Sequence, residues 1–79
     1  MFLEIITPDK KVFSGDVTSV KVPGANGQFQ VLNNHAPVIS TLINGKVTVK
    51  TTADTKVFDV KGGVVEVLKN KVVVLAESV

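Results

Sequence analysis

Short runs of strand-forming residues, each closed by turn residues, constrain the fold of this chain more than any other feature. Valine is the dominant apolar residue, and β-branched side chains favour strands. In the segment KVTVKTT (46–52), Val47 and Val49 alternate with Lys46 and Lys50, which places apolar and charged side chains on opposite faces of a strand. No segment sustains the 3.6-residue apolar period of an amphipathic helix. The pattern therefore predicts an all-β fold.

Turn signals divide the chain into eight predicted strands. The strands are expected near residues 2–7, 11–22, 28–32, 38–43, 46–52, 56–60, 64–68 and 71–76. The second is too long to run straight, and FSG (13–15) predicts a glycine-marked bulge or corner near its start. The run VVVLA (72–76) is apolar on both faces, as a central strand would be. Many short strands predict a flattened antiparallel two-sheet sandwich or barrel of about eight to ten short strands, formed as a single domain over residues 1–79.

Two dipeptides predict tight hairpins. Asn44-Gly45 has the residues preferred in two-residue hairpin loops, because both tolerate positive φ. Lys69 and Asn70 are expected to form a similar but less ideal turn. The stretch GANG (24–27) is interpreted as a β-turn, because it has neither the Lys-Ser/Thr of a phosphate-binding loop nor a following helix.

Composition excludes several classes of protein. The 79-residue chain has no cysteine, which excludes a disulfide scaffold or a cysteine-based zinc site. Its net charge is only +2, its lysines are spread among acidic residues, and it has no arginine, so we expect no nucleic-acid partner. No apolar run approaches the ~20 residues of a transmembrane helix. The phenylalanines are interpreted as scattered core anchors at Phe2, Phe13, Phe29 and Phe58.

The segment GQFQVLNNHAPVIST (27–41) concentrates the unusual residues, including the only histidine, His35. His35 has no second histidine or cysteine to complete a metal site, and Ser40 nearby does not belong to a nucleophile elbow. A loop histidine bonded to backbone and an interface histidine both remain open. The segment carries no acidic or lysine side chain, which fits either the core of a protein–protein interface or a buried crossover between sheets.

The order of several motifs resembles one known family. The chain opens with an apolar strand, a turn and Phe-Ser-Gly in LEIITPDKKVFSG (3–15). A turn, an apolar strand and His-Ala-Pro follow in VTSVKVPGANGQFQVLNNHAP (17–37), and then VISTLINGKVTV (38–49). The segment KGGVVEVLKNKVVVLAES (61–78) supplies Gly-Gly, Glu-Val and Leu-Ala. Together these motifs resemble the β-sandwich domain of the epsilon subunit of F-type ATP synthases, which is called delta in mitochondria.

The resemblance implies a non-catalytic central-stalk, or rotor, subunit. Such a subunit links the gamma subunit to the membrane c ring and couples proton flow to ATP synthesis. The resemblance implies no cofactor and no metal, and membrane association only through the complex, at the cytoplasmic face of the bacterial inner membrane. It also implies a set of residues that contact the gamma subunit or the c ring: Gln28, Val31, Leu32, Asn33, Asn34, His35, Ala36 and Pro37.

The sequence departs from the family pattern around residues 28–34 and at its C-terminal end. Gln30 stands where many relatives have glycine, and Asn33-Asn34 stand where many have Pro-Gly before the histidine. Gln28 matches a position that is often acidic. Typical members also continue into a two-helix C-terminal domain that in some bacteria binds ATP or inhibits hydrolysis. Because this chain ends at Val79, we expect it to lack nucleotide binding and that inhibition.

Two other classes of function are considered from the residues. A lipoyl- or biotinyl-type carrier domain is also a flattened β structure of similar size, but it needs a modifiable lysine at a hairpin tip. Residues ADTKV (53–57) offer Asp54 and Lys56, which are not adjacent. The residues by themselves, without the resemblance, support only a small β protein-interaction module.

Overall fold

The structure is a computed structural model that describes all residues from Met1 to Val79, and it contains eight β-strands and no helix. The strands are β1 (Phe2–Ile6), β2 (Lys11–Asp16), β3 (Ser19–Gly24), β4 (Gly27–Leu32), β5 (Val38–Leu42), β6 (Gly45–Lys50), β7 (Thr55–Leu68) and β8 (Lys71–Ser78). No helix in the chain is long and apolar enough to span a membrane.

The strands form two layers whose apolar faces meet. The first layer has the order β2-β1-β8-β7-β5, and the second contains β4, β3, β6 and the first half of β7. The molecule is flattened, with extents of 26 × 24 × 17 Å. The predicted all-β sandwich and the central position of β8 are confirmed. One pair is parallel: the first strand, β1, lies beside the last strand, β8, and runs in the same direction.

One long strand, β7, belongs to both layers. Its first part, residues 55–60, pairs with β6, and its second part, residues 63–68, pairs with β5 and β8. The strand bends at Gly62 and Gly63, whose φ angles are 61° and 125°. The prediction of separate strands at 56–60 and 64–68 is therefore wrong, because the glycines bend the strand between layers without ending it.

The predicted long strand at 11–22 is instead two strands. Val17 and Thr18 separate β2 from β3, and their amides donate hydrogen bonds to Met1 at 2.8 Å and to Lys50 at 2.7 Å, respectively. These two bonds lie where the chain crosses from the first layer to the second. The bulge falls at Val12, where the β1–β2 register shifts, whereas Gly15 pairs regularly with Leu3. The bulge predicted at FSG (13–15) is thus displaced by one residue.

The two predicted hairpins have different outcomes. Lys69 and Asn70 have φ angles of 50° and 61° and connect β7 to β8 directly, so that hairpin is confirmed. Asn44-Gly45 connects β5 to β6, which do not pair with each other, and neither residue has positive φ. The dipeptide is therefore a corner between layers, because β5 pairs with β7 in one layer and β6 with β3 in the other.

The core lies between the layers and is almost entirely aliphatic. Its fifteen buried side chains are Leu3, Ile5, Val17, Val20, Val22, Val31, Leu42, Val47, Val49, Val60, Val65, Val67, Val72, Val74 and Ala76. None of the phenylalanines is fully buried. Phe13 and Phe58 are not separate anchors but an edge-to-face pair, with ring centroids 5.9 Å apart, at the margin of the core. The interpretation of the phenylalanines as core anchors is therefore confirmed in part, because Phe13, Phe29 and Phe58 pack against the core and Phe2 does not.

Candidate protein-interaction surface

The loop between β4 and β5 is held at one end of the sandwich by hydrogen bonds to distant parts of the chain. Asn33 Oδ1 accepts a 2.8 Å hydrogen bond from the Met1 amino group, and the Asn34 amide donates a 2.9 Å hydrogen bond to Asn70 Oδ1. Asn34 has a φ of 63°, a conformation that asparagine adopts more readily than most residues. The loop is thus a fixed feature of the surface, and the Asn33 side chain is already engaged within the chain.

His35 lies in this loop and is half-buried. Its amide donates to the Leu32 carbonyl at 3.1 Å, and its ring Nδ1 donates to the Ala36 carbonyl at 2.7 Å. Its ring therefore bonds to backbone, as the loop interpretation expected. His35 also lines a surface groove between β4 and β5 with Ser40, but no cluster of three metal-ligating side chains exists in the chain.

Most of the residues implied by the resemblance are exposed together. Gln28, Leu32, Asn33, Asn34, Ala36 and Pro37 are exposed, and His35 is half-buried beside them. Val31 is the exception, because its side chain is fully buried in the core. Its proposed contact role is therefore corrected: Val31 supports β4 from behind. The seven remaining residues are called the pole surface, namely Gln28, Leu32, Asn33, Asn34, His35, Ala36 and Pro37.

The outer face of the first layer is a second candidate surface, which the sequence analysis missed. Across β5, β7, β8 and β1, one row of the register joins Thr41, Val64, Leu75 and Ile6. The side chain of Ile39 in the next row is 71% exposed. Leu68 is also exposed, and a shallow depression joins it to Ile39 and to Pro37 of the pole surface. The apolar outer side of VVVLA (72–76) carried this signal, although the sequence pattern is interpreted above only as the sign of a central strand.

Glu4 is a half-buried charged residue on this mainly apolar face, which also carries the exposed Glu66 in the same register row. Its side chain is 16% exposed and forms ion pairs with Lys11 at 3.0 Å and with Lys71 at 3.5 Å. The hydrogen bond from Lys11 is the main reason why the pKa of Glu4 is lowered from its ordinary value, and the charges of Lys11 and Lys71 act in the same direction. The two ion pairs therefore connect three adjacent strands, because Lys11 lies on β2, Glu4 on β1 and Lys71 on β8.

The outer face of the second layer has a different character. Lys46 and Asp59 form a 2.8 Å ion pair there and are both largely exposed. Lys50 pairs with Thr55 across the same two strands, and both side chains are exposed. This part of the face resembles an ordinary solvated β-surface, and Leu32 of the pole surface lies at the β4 end of the register row that contains Lys50 and Thr55.

The fold and these surfaces define a small β-sandwich interaction domain. Residues 1–79 match the family described as the beta-sandwich domain of the ATP synthase delta/epsilon chain. The chain belongs to this family. The family assignment makes the chain a non-catalytic stalk subunit of ATP synthase, a membrane-associated complex, and nothing in the comparisons supports the carrier-domain alternative.

Several bacterial relatives are similar to nearly the whole chain. The ATP synthase epsilon chain of Caulobacter vibrioides is 48% identical over 77 residues, which cover 98% of this chain and 90% of the relative. The epsilon chain of Chlorobaculum tepidum is 45% identical, with 98% and 89% covered. The epsilon chain of Pelotomaculum thermopropionicum is 46% identical, but the match covers only 57% of that longer protein. The relatives therefore differ in length beyond this domain.

Solved structures show the same fold. A chain in the cryo-EM structure of the Euglena gracilis mitochondrial ATP synthase, described as OSCP/F1/c-ring, superposes with a TM-score of 0.90 at 18% identity. A chain in the central stalk/c-ring structure of the Tetrahymena thermophila mitochondrial ATP synthase superposes with a TM-score of 0.84 at 19% identity. Each match covers 96% of this chain, and 49% and 62% of the other chain, respectively.

Proposed function

We propose that this chain is the rotor subunit that links the gamma subunit to the c ring and couples proton flow to ATP synthesis. It would act at the cytoplasmic face of the bacterial inner membrane and associate with the membrane only through the complex. The observation that carries the proposal is the pole surface, which combines exposed apolar and amide side chains with the absence of lysine and carboxylate charge. The fold match to chains in c-ring and central-stalk assemblies supports this placement.

The pole surface has the rigidity that a mechanical link needs. Val31 is 0% exposed and anchors β4 to the core directly beside Leu32. The loop is bonded to Met1 at 2.8 Å and to the Asn70 side chain at 2.9 Å. Because this surface is already ordered, little conformational entropy is lost when a partner binds to it. A rigid surface also transmits an applied force with little local deformation.

The apolar face of the first layer extends the same contact region. Pro37 belongs to the pole surface and lines a depression with Ile39 and Leu68 of that face. Apart from Glu66, which lines the same depression, the region exposes apolar side chains as a protein–protein interface core does. We assign the gamma subunit to this combined surface and the polar loops of the c ring to its Gln28 end.

Reconstitution with an ATP synthase depleted of its epsilon subunit tests the proposal. Added chain is expected to restore proton pumping driven by ATP hydrolysis, whereas Leu32→Asp places a charge in the contact and is expected to abolish the restoration. Val57→Asp is the matched control, because Val57 is 52% exposed on a strand of the second layer and Leu32 is 53% exposed on β4. Thermal unfolding of both variants checks that each is folded.

Two outcomes would contradict the proposal. If the unmodified chain binds the depleted enzyme but does not restore pumping, the coupling role is wrong. If Leu32→Asp and Val57→Asp restore pumping equally, the pole surface is not the contact.

A further inference from the structure

The edge strands β2 and β4 are protected unequally. Edge strands expose unpaired backbone groups, and natural proteins usually shield them with charges, prolines or bulges. The β2 edge has such protection, because it carries Lys11 and Asp16 and contains the bulge at Val12. The β4 edge has none, since residues 27–32 carry no charge and no proline and pair with β3 in unbroken register.

Pro23 on β3 determines which way the β4 backbone faces. Pro23 has no amide hydrogen, and its carbonyl accepts a 2.9 Å hydrogen bond from Ile43, on the side away from β4. The pair Pro23–Gln28 is therefore a non-hydrogen-bonded pair of the β3–β4 ladder. Hydrogen-bonded and non-bonded pairs alternate in an antiparallel ladder. Gly27, Phe29 and Val31 thus make the bonds to β3.

The intervening residues turn their backbone groups outward. Gln28 and Gln30 direct both N–H and C=O away from β3, and Leu32 directs its N–H outward while its carbonyl accepts the 3.1 Å bond from His35. We call the outward backbone groups of Gln28, Gln30 and Leu32 the β4 edge. The groove between β4 and β5 borders this edge and is lined by Phe29, His35 and Ile39 among others.

We propose that the β4 edge is a strand-addition site, at which an extended, uncharged segment of the gamma subunit pairs with Gln28–Leu32 through backbone hydrogen bonds. The inference rests on the proposed function, because it specifies how the pole surface is bound. Two observations select this occupant. The β4 edge is continuous with the pole surface, since Gln28 and Leu32 belong to both. The edge also carries no charge. A charged segment would therefore find no oppositely charged side chain there, whereas an uncharged segment would need none.

A proline substitution separates backbone pairing from side-chain contact. Gln30→Pro removes an outward N–H that no intrachain bond uses, and proline is tolerated on edge strands in this orientation. Gln30→Ala is the matched control, because it removes the side chain and keeps the N–H. Binding of each variant to the epsilon-depleted ATP synthase is measured by titration. Gln30→Pro is expected to weaken binding by at least about tenfold, and Gln30→Ala by less than about threefold.

Amide hydrogen exchange in the unmodified chain provides a second test that needs no variant. The chain is exchanged free and bound to the depleted enzyme, and is then released and analysed residue by residue by NMR. The amides of Gln28, Gln30 and Leu32 are expected to exchange rapidly in the free chain and to become protected in the complex. Phe29 and Val31 are expected to be protected in both states.

The outcomes distinguish failure of this inference from failure of the proposed function. Absence of binding by the unmodified chain contradicts the proposed function itself. Tight binding with equal effects of Gln30→Pro and Gln30→Ala, or with no new protection at the three outward amides, overturns strand addition alone. Concentration-dependent protection of these amides in the isolated chain would identify a second copy as the occupant and would also overturn it.

Discussion

The Ala25 amide donates a 2.9 Å hydrogen bond to the Thr41 carbonyl, beside the single residue pair, Gly24–Leu42, that joins β3 to β5. All of β5, including Leu42, pairs with β7 on its other side. This junction closes the sandwich at one end only, so the strand beyond β3 is left with a free edge. The exposed β4 edge is therefore a consequence of the topology and not a local irregularity of β4.

Substitution at the bend of β7 should destabilise the fold strongly. A methyl group at Gly63 would overlap the Leu75 carbonyl oxygen and lie 2.9 Å from Ala76 Cα. Gly27 is a matched control, because its φ of 129° is close to the 125° of Gly63 and a methyl group there meets nothing within 4 Å. Gly63→Ala should lower the free energy of unfolding by about 1–3 kcal/mol more than Gly27→Ala. Urea denaturation measures the difference, and equal effects would show that the bend tolerates a side chain.

The buried side of β4 should contribute more to stability than an exposed position on β7. Val31→Ala removes two buried carbons from a side chain with 0% exposure and should lower the free energy of unfolding by about 2 kcal/mol. Val57→Ala, at a position 52% exposed, should change it by less than about 0.5 kcal/mol. Equal destabilisation in urea denaturation would contradict the placement of Val31 in the core.

The Glu4 ion pairs should make stability depend on pH in acid. The pKa of Glu4 is lowered in the folded state, so the stabilisation is complete above the ordinary carboxyl value of 4.5 and is lost as the pH falls through the lowered pKa. Glu4→Gln should therefore be less stable than the unmodified chain at neutral pH, and the gap should shrink towards about pH 3. Denaturation at several pH values measures this difference in the free energy of unfolding. A difference that does not change with pH would contradict a stabilising role for the Glu4 ion pairs.

Asn70 should have two separable roles. Asn70→Gly keeps the positive φ of the hairpin but removes the side-chain oxygen that accepts a hydrogen bond from the Asn34 amide. Asn70→Ala removes the same oxygen and also disfavours the positive φ. Both variants should speed exchange of the Asn34 amide, and only Asn70→Ala should also destabilise the hairpin, by about 1 kcal/mol. Unchanged exchange of the Asn34 amide in Asn70→Gly would show that this hydrogen bond does not hold the loop.

Local chemistry explains which features the sequence predicted well. The alternation in β6 and the short valine runs identified the strands, because a strand with one buried face must alternate. Lys69 and Asn70 marked a true hairpin, since their positive φ is a local property of the turn. The motif order also identified the family correctly.

Features that depend on pairing between distant strands were not predictable from local signals. Asn44-Gly45 has ideal hairpin residues, but β5 and β6 have better partners elsewhere. Gly62 and Gly63 carry a turn signal that the fold uses as a bend within one strand. Val31 lies between exposed neighbours in sequence, and only its inward direction on β4 removes it from the surface.

Site-specific cross-linking within the assembled ATP synthase tests the central claim most directly. The chain has no cysteine, so Leu32→Cys or Val57→Cys carries a photoactivated cross-linker at one defined position. The account predicts that a cross-linker at Leu32 joins the chain to the gamma subunit or the c ring, and that one at Val57 joins it to neither. Cross-links to either partner from Val57 but not from Leu32 would contradict it.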